Sequence, residues 1–347
     1  MSSNFVSTFN LLNGPRLFAK TAQAQVARLQ QELVTERHSD VGLVLGNRTG
    51  RSTLLYQEMN RIDSMVTSNG MTLGRLGATQ TVISDLRTAA DTFMATLVGL
   101  PGNATSAETV RGDAQRNLQM LVDKLNSAFA GSQLFGGERT DTPPATNATG
   151  VVTTAFEAYR LTLPPIPPAV TPPSVEEVTA AQTEAFLAGD FAAEFDDANW
   201  TTNWSSASST NIRSQISSTE TLTTSANAND EAFRYMARAF SAIGSLPADK
   251  INENAFKAVV DYAMRQLGEA VNGLTVMEAD FGSTQGRVKT VNEQLTVQRT
   301  FLNNSLVSME GVDPYEAKVK MDALELQISL SFSLTSRLQK LNLLNFL

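Results

Sequence analysis

The chain has 347 residues, of which 42% are hydrophobic and 18% are charged, and its formal net charge is −8. This length allows more than one domain. The sequence contains no run of lysines and arginines, which argues against nucleic-acid binding because that function needs clustered cations. The absence of cysteine excludes disulfides, thiol nucleophiles and cysteine-ligated metals.

The first twenty residues lack the charged and apolar regions of a cleaved secretion leader. No apolar run reaches the roughly twenty residues that a membrane-spanning helix needs. We therefore expect a protein that is either cytoplasmic or exported by a route without leader cleavage.

The first predicted helix begins near Pro15, a residue that suits the first turn of a helix. Apolar residues then recur at the alternating three- and four-residue spacing of a coiled coil. They are Ala19, Ala22, Val26, Leu29 and Leu33. The pattern stops at residues 36–40, and Gly42, Gly46 and Gly50 predict a loop or an irregular hairpin.

Two further helices are predicted before the middle of the chain. The first extends from Arg51 to Leu97. It would have about 48 residues and a length of roughly 70 Å. A break at residues 100–103 precedes the second helix, which is predicted from Ser106 to about Gly131.

The middle of the chain, from about residue 132 to 227, has a different composition. Eight of the twelve prolines lie between Pro143 and Pro173, and paired prolines are incompatible with helices and central strands. Three segments have strand-like patterns: 151–163, 211–217 and 220–225. We predict a small β-rich insertion with an extended proline-rich linker, in which Trp200 and Trp204 form the core.

Helices are predicted again after this middle part, one from Asp230 to Gly244 and a long one between Pro247 and Pro314. One face of the long helix carries no charge at thirteen positions with heptad spacing. They are Leu267, Ala270, Leu274, Met277, Phe281, Thr284, Val288, Val291, Leu295, Gln298, Leu302, Ser305 and Met309. We expect this face and those of helices 51–97 and 106–131 to form the core of a bundle.

The last thirty-one residues, 317–347, include sixteen that are Ala, Val, Met, Leu, Ile or Phe. We predict one helix, capped by Asp313. Its apolar side chains lie on two sides: Met321, Leu324 and Ile328 on one, and Leu326, Leu330 and Leu334 on the other. The narrow stripe of the first helix is too small to cover both sides. We therefore expect the chain ends to pack together and to bury the remaining apolar surface against other copies.

The residues predicted at this assembly interface come from both ends of the chain. They are Ala19, Ala22, Val26, Leu29, Leu33, Met321, Leu324, Ile328, Leu330, Phe332, Leu338, Leu341, Leu344, Phe346 and Leu347.

Few residues in the sequence suggest a catalytic, metal-binding or phosphate-binding site. His38 is the only histidine, which excludes zinc sites made of several histidines from one chain, and we expect it to be exposed in a loop. The acid pairs at 176–177 and 196–197 lie in low-complexity segments and do not predict an acid–base site. Residues 135–137 (Phe-Gly-Gly) are not followed by the Lys-Ser/Thr of a phosphate loop. We expect no enzymatic activity, cofactor or metal.

Both ends of the chain resemble the flagellin and hook-associated protein family. Residues 29–35 (LQQELVT) are similar to the family's N-terminal helix where it enters a characteristic turn, although Glu36 stands where the family usually has Gly. Residues 341–347 (LNLLNFL) resemble the family's C-terminal signature, with Phe346 where Tyr is common.

Two internal segments resemble the hook–filament junction proteins within this family. Residues 134–144 (LFGGERTDTPP) are similar to the segment where those proteins leave for their outer domain, and 225–233 (SANANDEAF) to their return into helix. The resemblance covers nearly the whole chain except about 145–205.

Periodicity and resemblance together predict a mainly α fold, a long antiparallel helical bundle or coiled coil made of the N- and C-terminal arms, with the β-rich insertion at its centre. The resemblance implies three parts. Residues 1–50 with 313–347 form an inner polymerisation domain, 51–137 with 226–312 form a helical-bundle domain, and 138–225 form an outward-pointing insertion.

The function implied is that of a structural adaptor that joins the flagellar hook to the filament as a short ring. Its expected partners are copies of itself, the neighbouring hook-associated protein, flagellin and a cytoplasmic export chaperone. Its expected location is the hook–filament junction outside the cell, after type III export. A filament-forming flagellin is the alternative within the family. Two alternatives come from other classes of protein. A signalling coiled coil would lack the proline-rich insertion and apolar tail. The hypothesis of a polysaccharide-binding protein is supported by Trp200, Trp204 and Tyr159 alone.

Overall fold

The computed structural model describes residues 8–99, 104–166, 171–247 and 250–344, with side chains for 14–99, 107–166, 171–247 and 250–337. The described chain is mainly α-helical, which confirms the predicted class. Its α-helices are α1 (Thr8–Thr35), α2 (Val41–Leu45), α3 (Thr49–Val98), α4 (Ala104–Leu125), α5 (Thr149–Thr162), α6 (Ala180–Ala188), α7 (Asp190–Ala193), α8 (Asp197–Asn199), α9 (Glu231–Gly244), α10 (Glu253–Glu310) and α11 (Pro314–Leu344). Single turns of 3-10 helix lie at Gly46–Arg48 and Val175–Glu177, and a π-helical turn lies at Trp200–Trp204.

Two short antiparallel hairpins complete the described secondary structure. They are β1 (Ala128–Phe129) with β2 (Ser132–Gln133), and β3 (Arg213–Gln215) with β4 (Thr221–Thr223). In the second hairpin Ser214 pairs with Leu222. The strand-like segments 211–217 and 220–225 are therefore confirmed.

The described chain forms two compact units. Unit 1 contains the described residues up to Ser64 and from Gln294 onward, and unit 2 contains Met65–Glu293. The helices α3 and α10 contribute residues to both. The three-part division expected from the resemblance is not tested by this two-part division and stays a prediction.

The two long helices agree with the sequence pattern. In unit 2, Asn69 contacts Asn292, Gln80 contacts Gln285 and Arg87 contacts Glu278, so numbers rise along α3 as they fall along α10. The helices are therefore antiparallel there. The uncharged face of α10 is buried from Leu267 to Leu274 and again at Val288 and Val291, whereas Gln298 is exposed.

The core of unit 2 surrounds α9, which is buried on most of its sides and packs against α4. Trp200 and Trp204 are buried as predicted, although in a core shared with α9, where the indole N–H of Trp200 donates to the carbonyl of Ala228 at 3.2 Å. The two indoles therefore offer no exposed platform on which a sugar ring could stack.

The prediction of a β-rich insertion at 138–225 is wrong, because helices α5 to α8 occupy much of this part. Residues 151–163 have a strand-like pattern, yet most of them lie in α5. Val152 and Phe156, one helical turn apart, are both buried, and the ring of Phe156 meets that of Phe186 edge to face at 5.3 Å. This packing outweighs the strand preference of the β-branched residues.

Two other local predictions are also wrong. The glycine-rich stretch after residue 40 is not a loop or hairpin but the short helix α2, because the Asp40 carboxylate accepts from the N–H of Leu43 at 2.9 Å and Gly46, at φ +52°, ends the helix. Helix α4 ends at Leu125 instead of about Gly131, since residues 128–133 form the hairpin of β1 and β2, in whose turn Ala130 takes a left-handed conformation.

Among the described helices, none combines the length and the apolar composition that crossing a bilayer requires.

Candidate assembly interface

Helices α1 and α11 pack against each other within unit 1. Arg37 forms a β-bridge with Gly311, while Leu29 and Leu324 line the same groove between the helices. Residue numbers fall along α1 as they rise along α11, so the pair is antiparallel.

The predicted stripe of α1 is the most buried face of that helix among its described side chains. Ala19 and Ala22 are buried, and Val26, Leu29 and Leu33 are half-buried. Since α11 is the helix that packs on α1, this stripe is used within the chain. Whether assembly also uses these residues stays a prediction.

The two apolar sides of α11 have different environments. The side with Met321, Leu324 and Ile328 is buried or half-buried under α1. The other side is more than half exposed at four apolar residues that follow one another at helical spacing. They are Val319, Leu326, Leu330 and Leu334, which we call the outer stripe.

The remaining predicted interface residues are either exposed or outside the described part of the chain. Leu330 belongs to the outer stripe, and Phe332 is also more than half exposed. The side chains of Leu338, Leu341 and Leu344, and the whole of Phe346 and Leu347, lie outside the described residues.

Unit 1 has further exposed apolar residues that are not among the predicted interface residues. Leu17 and Phe18 lie on α1 outside the predicted stripe, and Val297 and Phe301 lie one turn apart on α10. Val297 and Phe301 could have been found as an apolar pair off the uncharged face of α10.

A buried carboxylate lies at the base of the α1/α11 pair, where α10 ends. The Glu310 side chain is 1% exposed, and it accepts hydrogen bonds from the hydroxyls of Ser52 and Tyr56 and from the guanidinium of Arg37. The Arg37 guanidinium also lies over the Tyr56 ring, 5.5 Å from its centroid. These four residues are the Glu310 cluster.

Two opposing effects act on the pKa of Glu310. Burial acts to raise this pKa, but the hydrogen bonds from Ser52, Tyr56 and Arg37 together outweigh it and hold the pKa below its ordinary value. The pKa of Tyr56 is raised, first by burial and then by its hydrogen bond to Glu310. The cluster is therefore an ionised carboxylate satisfied by three donors.

The turn beside this cluster keeps the conformation that glycine favours. Glu36 has φ +54° although it is not a glycine, and its carbonyl accepts from the N–H of Val312 at 3.1 Å. His38 is half-buried, contrary to the predicted exposure, because its N–H donates to the carbonyl of Glu310 at 3.0 Å.

In unit 2 the two internal segments that resemble junction proteins meet. Gly136 pairs with Asn227, the N–H of Ala228 donates to the carbonyl of Phe135 at 2.8 Å, and the rings of Phe135 and Phe233 meet edge to face at 5.4 Å. Gly137 has φ +62°, and a Cβ there would lie 2.3 Å from the carbonyl oxygen of Ser208. The double glycine is therefore needed for close backbone packing.

Three acids of the two acid pairs make structural contacts. Asp196 and Asp197 form ion pairs with Arg238 and Arg234, and Glu177 accepts from the N–H of Ser174 at 2.7 Å. In the part of the chain that the structure describes, no three histidine or acidic side chains come together as a metal site.

Two family models match the chain at its ends. The bacterial flagellin N-terminal helical region matches residues 6–140, and the bacterial flagellin C-terminal helical region matches residues 264–347. Together they cover more than half of the chain. The chain belongs to the flagellin family. The predicted family is thus confirmed, and both partners of the α1/α11 pair and the whole Glu310 cluster lie within the matched regions.

Membership gives this flagellin-family chain a structural role in the flagellum. It assembles into a flagellar polymer with other flagellar proteins and reaches the flagellum by export. The family is structural rather than enzymatic, in agreement with the expected function.

Among solved structures, this flagellin-family chain is similar to a protein described as a flagellar hook-associated protein from Vibrio parahaemolyticus. The identity is 10%, the TM-score is 0.45, and the match covers 78% of this chain and 97% of that chain. Such values support no argument about function. No curated protein matches the chain.

Proposed function

We propose that the protein is a structural adaptor that joins the flagellar hook to the filament and assembles as a short ring through its terminal helices. The observation that carries the proposal is the outer stripe of α11. Four large apolar side chains face away from α1, although α1 covers the opposite side of the same helix. Burial of apolar surface contributes about 25 cal/mol per Å², so a neighbouring subunit on this stripe would stabilise the assembly.

Two segments support a role as the junction adaptor over a role as the filament subunit. Residues 134–144 and 225–233 resemble junction proteins and pack on each other through Phe135, Ala228 and Phe233. Segments that resemble the departure to an outer domain and the return from it are expected to meet in this way.

The proposed partners follow from the exposed outer stripe and from the proposed place of the protein between hook and filament. Copies of the chain would cover the outer stripe in the ring, with the neighbouring hook-associated protein and flagellin on its two sides. Before assembly, an export chaperone in the cytoplasm would shield the same surface, because an exposed apolar stripe favours aggregation.

The first test changes the outer stripe and leaves the inner side of α11 intact. The double variant Leu326→Ser/Leu330→Ser should keep the wild-type helix content and unfolding midpoint, because both side chains are exposed. It should fail to restore filament attachment to cells that lack the wild-type gene. The matched control is Gln327→Ser, an exposed polar residue on the same helix, which should attach filaments normally.

Imaging of the deletion strain and of purified protein decides between adaptor and filament subunit. An adaptor predicts hooks without attached filaments, filaments shed into the medium, and purified protein that stays monomeric or forms small oligomers. Long filaments grown from purified protein would instead identify a filament-forming flagellin. Normal filament attachment by the outer-stripe variant would refute the proposed interface.

A further inference from the structure

The outer stripe does not explain why unit 1 buries a carboxylate. Glu310 is the last residue of α10, and its donors come from two other segments, Arg37 in the turn after α1 and Ser52 and Tyr56 in α3. A buried carboxylate is tolerated only where hydrogen bonds replace the lost water. The cluster therefore depends on these segments being held together.

The main chain joins the same segments. The N–H of His38 donates to the carbonyl of Glu310 at 3.0 Å, and the N–H of Val312 donates to the carbonyl of Glu36 at 3.1 Å. These bonds tie the turn after α1 to the break before α11. We call residues 36–38 and 310–312 the root of the α1/α11 pair. The side chain of Glu310 attaches this root to α3 through Ser52 and Tyr56, and Arg37 adds a direct hydrogen bond to the hydroxyl of Tyr56.

We propose that the ionised carboxylate of Glu310 is a lock that positions the root of the α1/α11 pair on α3, and that loss of its charge frees the root while both helices stay folded. The proposal rests on the proposed function, because a freed root would present the outer stripe in varying directions and so weaken assembly. Glu310 is a positioning residue, since it acts through α11.

The charged and titratable groups facing Glu310 are few. Among the described residues they are Arg37 from the turn and Tyr56 from α3, accompanied by the neutral hydroxyl of Ser52. The α11 side contributes main chain at Gly311 and Val312. Tyr56 stays neutral in acid, because burial and its hydrogen bond to Glu310 raise the pKa of its hydroxyl. Within the cluster acid therefore acts on Glu310, while outside it the root carries the side chains of Glu36 and of His38, whose ring lies 4.0 Å from the carboxylate of Glu32.

The direction of the pH dependence follows from the lowered pKa of Glu310. A carboxylate whose pKa is lower in the folded state stabilises that state fully above its ordinary pKa, which is about 4.3. This stabilisation is lost as the pH falls through the folded-state pKa. The lock should therefore hold at neutral pH and release in acid below about pH 4.

The test measures amide hydrogen exchange of the full-length monomer, followed by mass spectrometry. Glu310→Gln keeps an oxygen that can accept hydrogen bonds but removes the charge. At pH 7 it should raise exchange in the root by about tenfold, with unchanged exchange in α9. The matched control is Glu325→Gln, which neutralises an exposed acid on α11 and should leave the root as in the wild type.

A pH series separates the lock from a general loss of packing. After correction for intrinsic exchange, the wild-type root should lose protection as the pH falls below about 4, whereas in Glu310→Gln the root should be open at every pH. Wild-type protection of the root in Glu310→Gln would overturn the proposal, as would an acid transition that persists in this variant.

A second variant keeps the proposal testable if Glu310→Gln does not fold. Tyr56→Phe removes the hydrogen bond that Tyr56 donates to Glu310 and the one that it accepts from Arg37, but it keeps the ring beneath Arg37, and it should loosen the root by a smaller factor than Glu310→Gln. No change in root exchange would then overturn the lock. The outer-stripe variant should keep a protected root and still fail to attach filaments. Since exchange is measured on the monomer, failure of the lock and failure of the proposed function are distinguishable.

Discussion

Glu36 holds a left-handed backbone conformation in the turn after α1, at the position where the family usually has glycine. For a residue with a Cβ this conformation costs about 1–2 kcal/mol relative to the right-handed one. The carbonyl of Glu36 accepts from Val312, so the turn is held by a contact with the segment before α11. A local strain is thus retained because the root of the α1/α11 pair requires that backbone path.

Replacement of this residue by glycine should relieve the strain. We expect Glu36→Gly to stabilise unit 1 by up to about 1 kcal/mol, since the gain is partly offset by the greater freedom of glycine in the unfolded chain. Urea unfolding followed by amide exchange in α1 measures the effect. Gln31→Gly, in the regular part of α1, is the control and should destabilise by about 1 kcal/mol. A destabilising effect of Glu36→Gly would contradict the argument.

The elements differ in how far the sequence predicts them. The helices α3 and α10 were predictable because their apolar period repeats over many turns, so single exceptions such as Gln298 matter little. The short elements depend on contacts that are distant in sequence. Four β-branched residues at 151–154 favour a strand, yet the packing of Phe156 on Phe186 makes α5 a helix.

The candidate interface was predictable to the same extent. The stripe of α1 and the two apolar sides of α11 follow from spacing alone. Which side α1 covers does not follow, because Met321 and Leu330 belong to sides of similar apolar character. The Glu310 cluster has no local signal, since its donors at 37, 52 and 56 are brought to Glu310 only by the fold.

The hairpin of β3 and β4 is attached to both long helices by one buried amide. Asn69 on α3 donates to the carbonyl of Ile216 at 2.9 Å and to the side-chain oxygen of Asn292 on α10 at 2.7 Å.

We expect Asn69→Ala to lower the free energy of unfolding of unit 2 by about 1–3 kcal/mol, because it leaves buried acceptors unsatisfied. The urea midpoint measures this loss. Ser68→Ala, at an exposed position of the same helix within unit 2, should change stability by less than about 0.5 kcal/mol, and equal midpoints for the two variants would contradict the assigned role.

At the scale of the whole molecule, the two units differ in how much apolar surface they bury. The large hydrophobic cluster extends from Leu76 to Phe281 and lies within unit 2. In unit 1 the α1/α11 pair is covered on one side only, with the outer stripe exposed. Local stability follows buried contacts, so the units should open at different rates.

Amide exchange along the full chain tests this difference. In the isolated protein we expect α9 to be the better protected helix, with exchange at least about tenfold slower than in the described parts of α1 and α11. Under assembly conditions, protection should rise in α11 and stay constant in α9. Equal protection of α1, α9 and α11 in the monomer would show that the units share one stability.

The stacked indoles in unit 2 have a practical consequence for following this protein in solution. Trp200 and Trp204 are its two tryptophans, and their rings lie nearly parallel with centroids 5.7 Å apart and an angle of 8°. Such a pair gives coupled near-ultraviolet transitions and an emission sensitive to the spacing of the rings. That optical signal reports on the core of unit 2 and does not respond to changes at the outer stripe. Subunit association through α11 therefore needs its own chromophore, and Tyr315, exposed at the start of that helix, is a natural place to attach one.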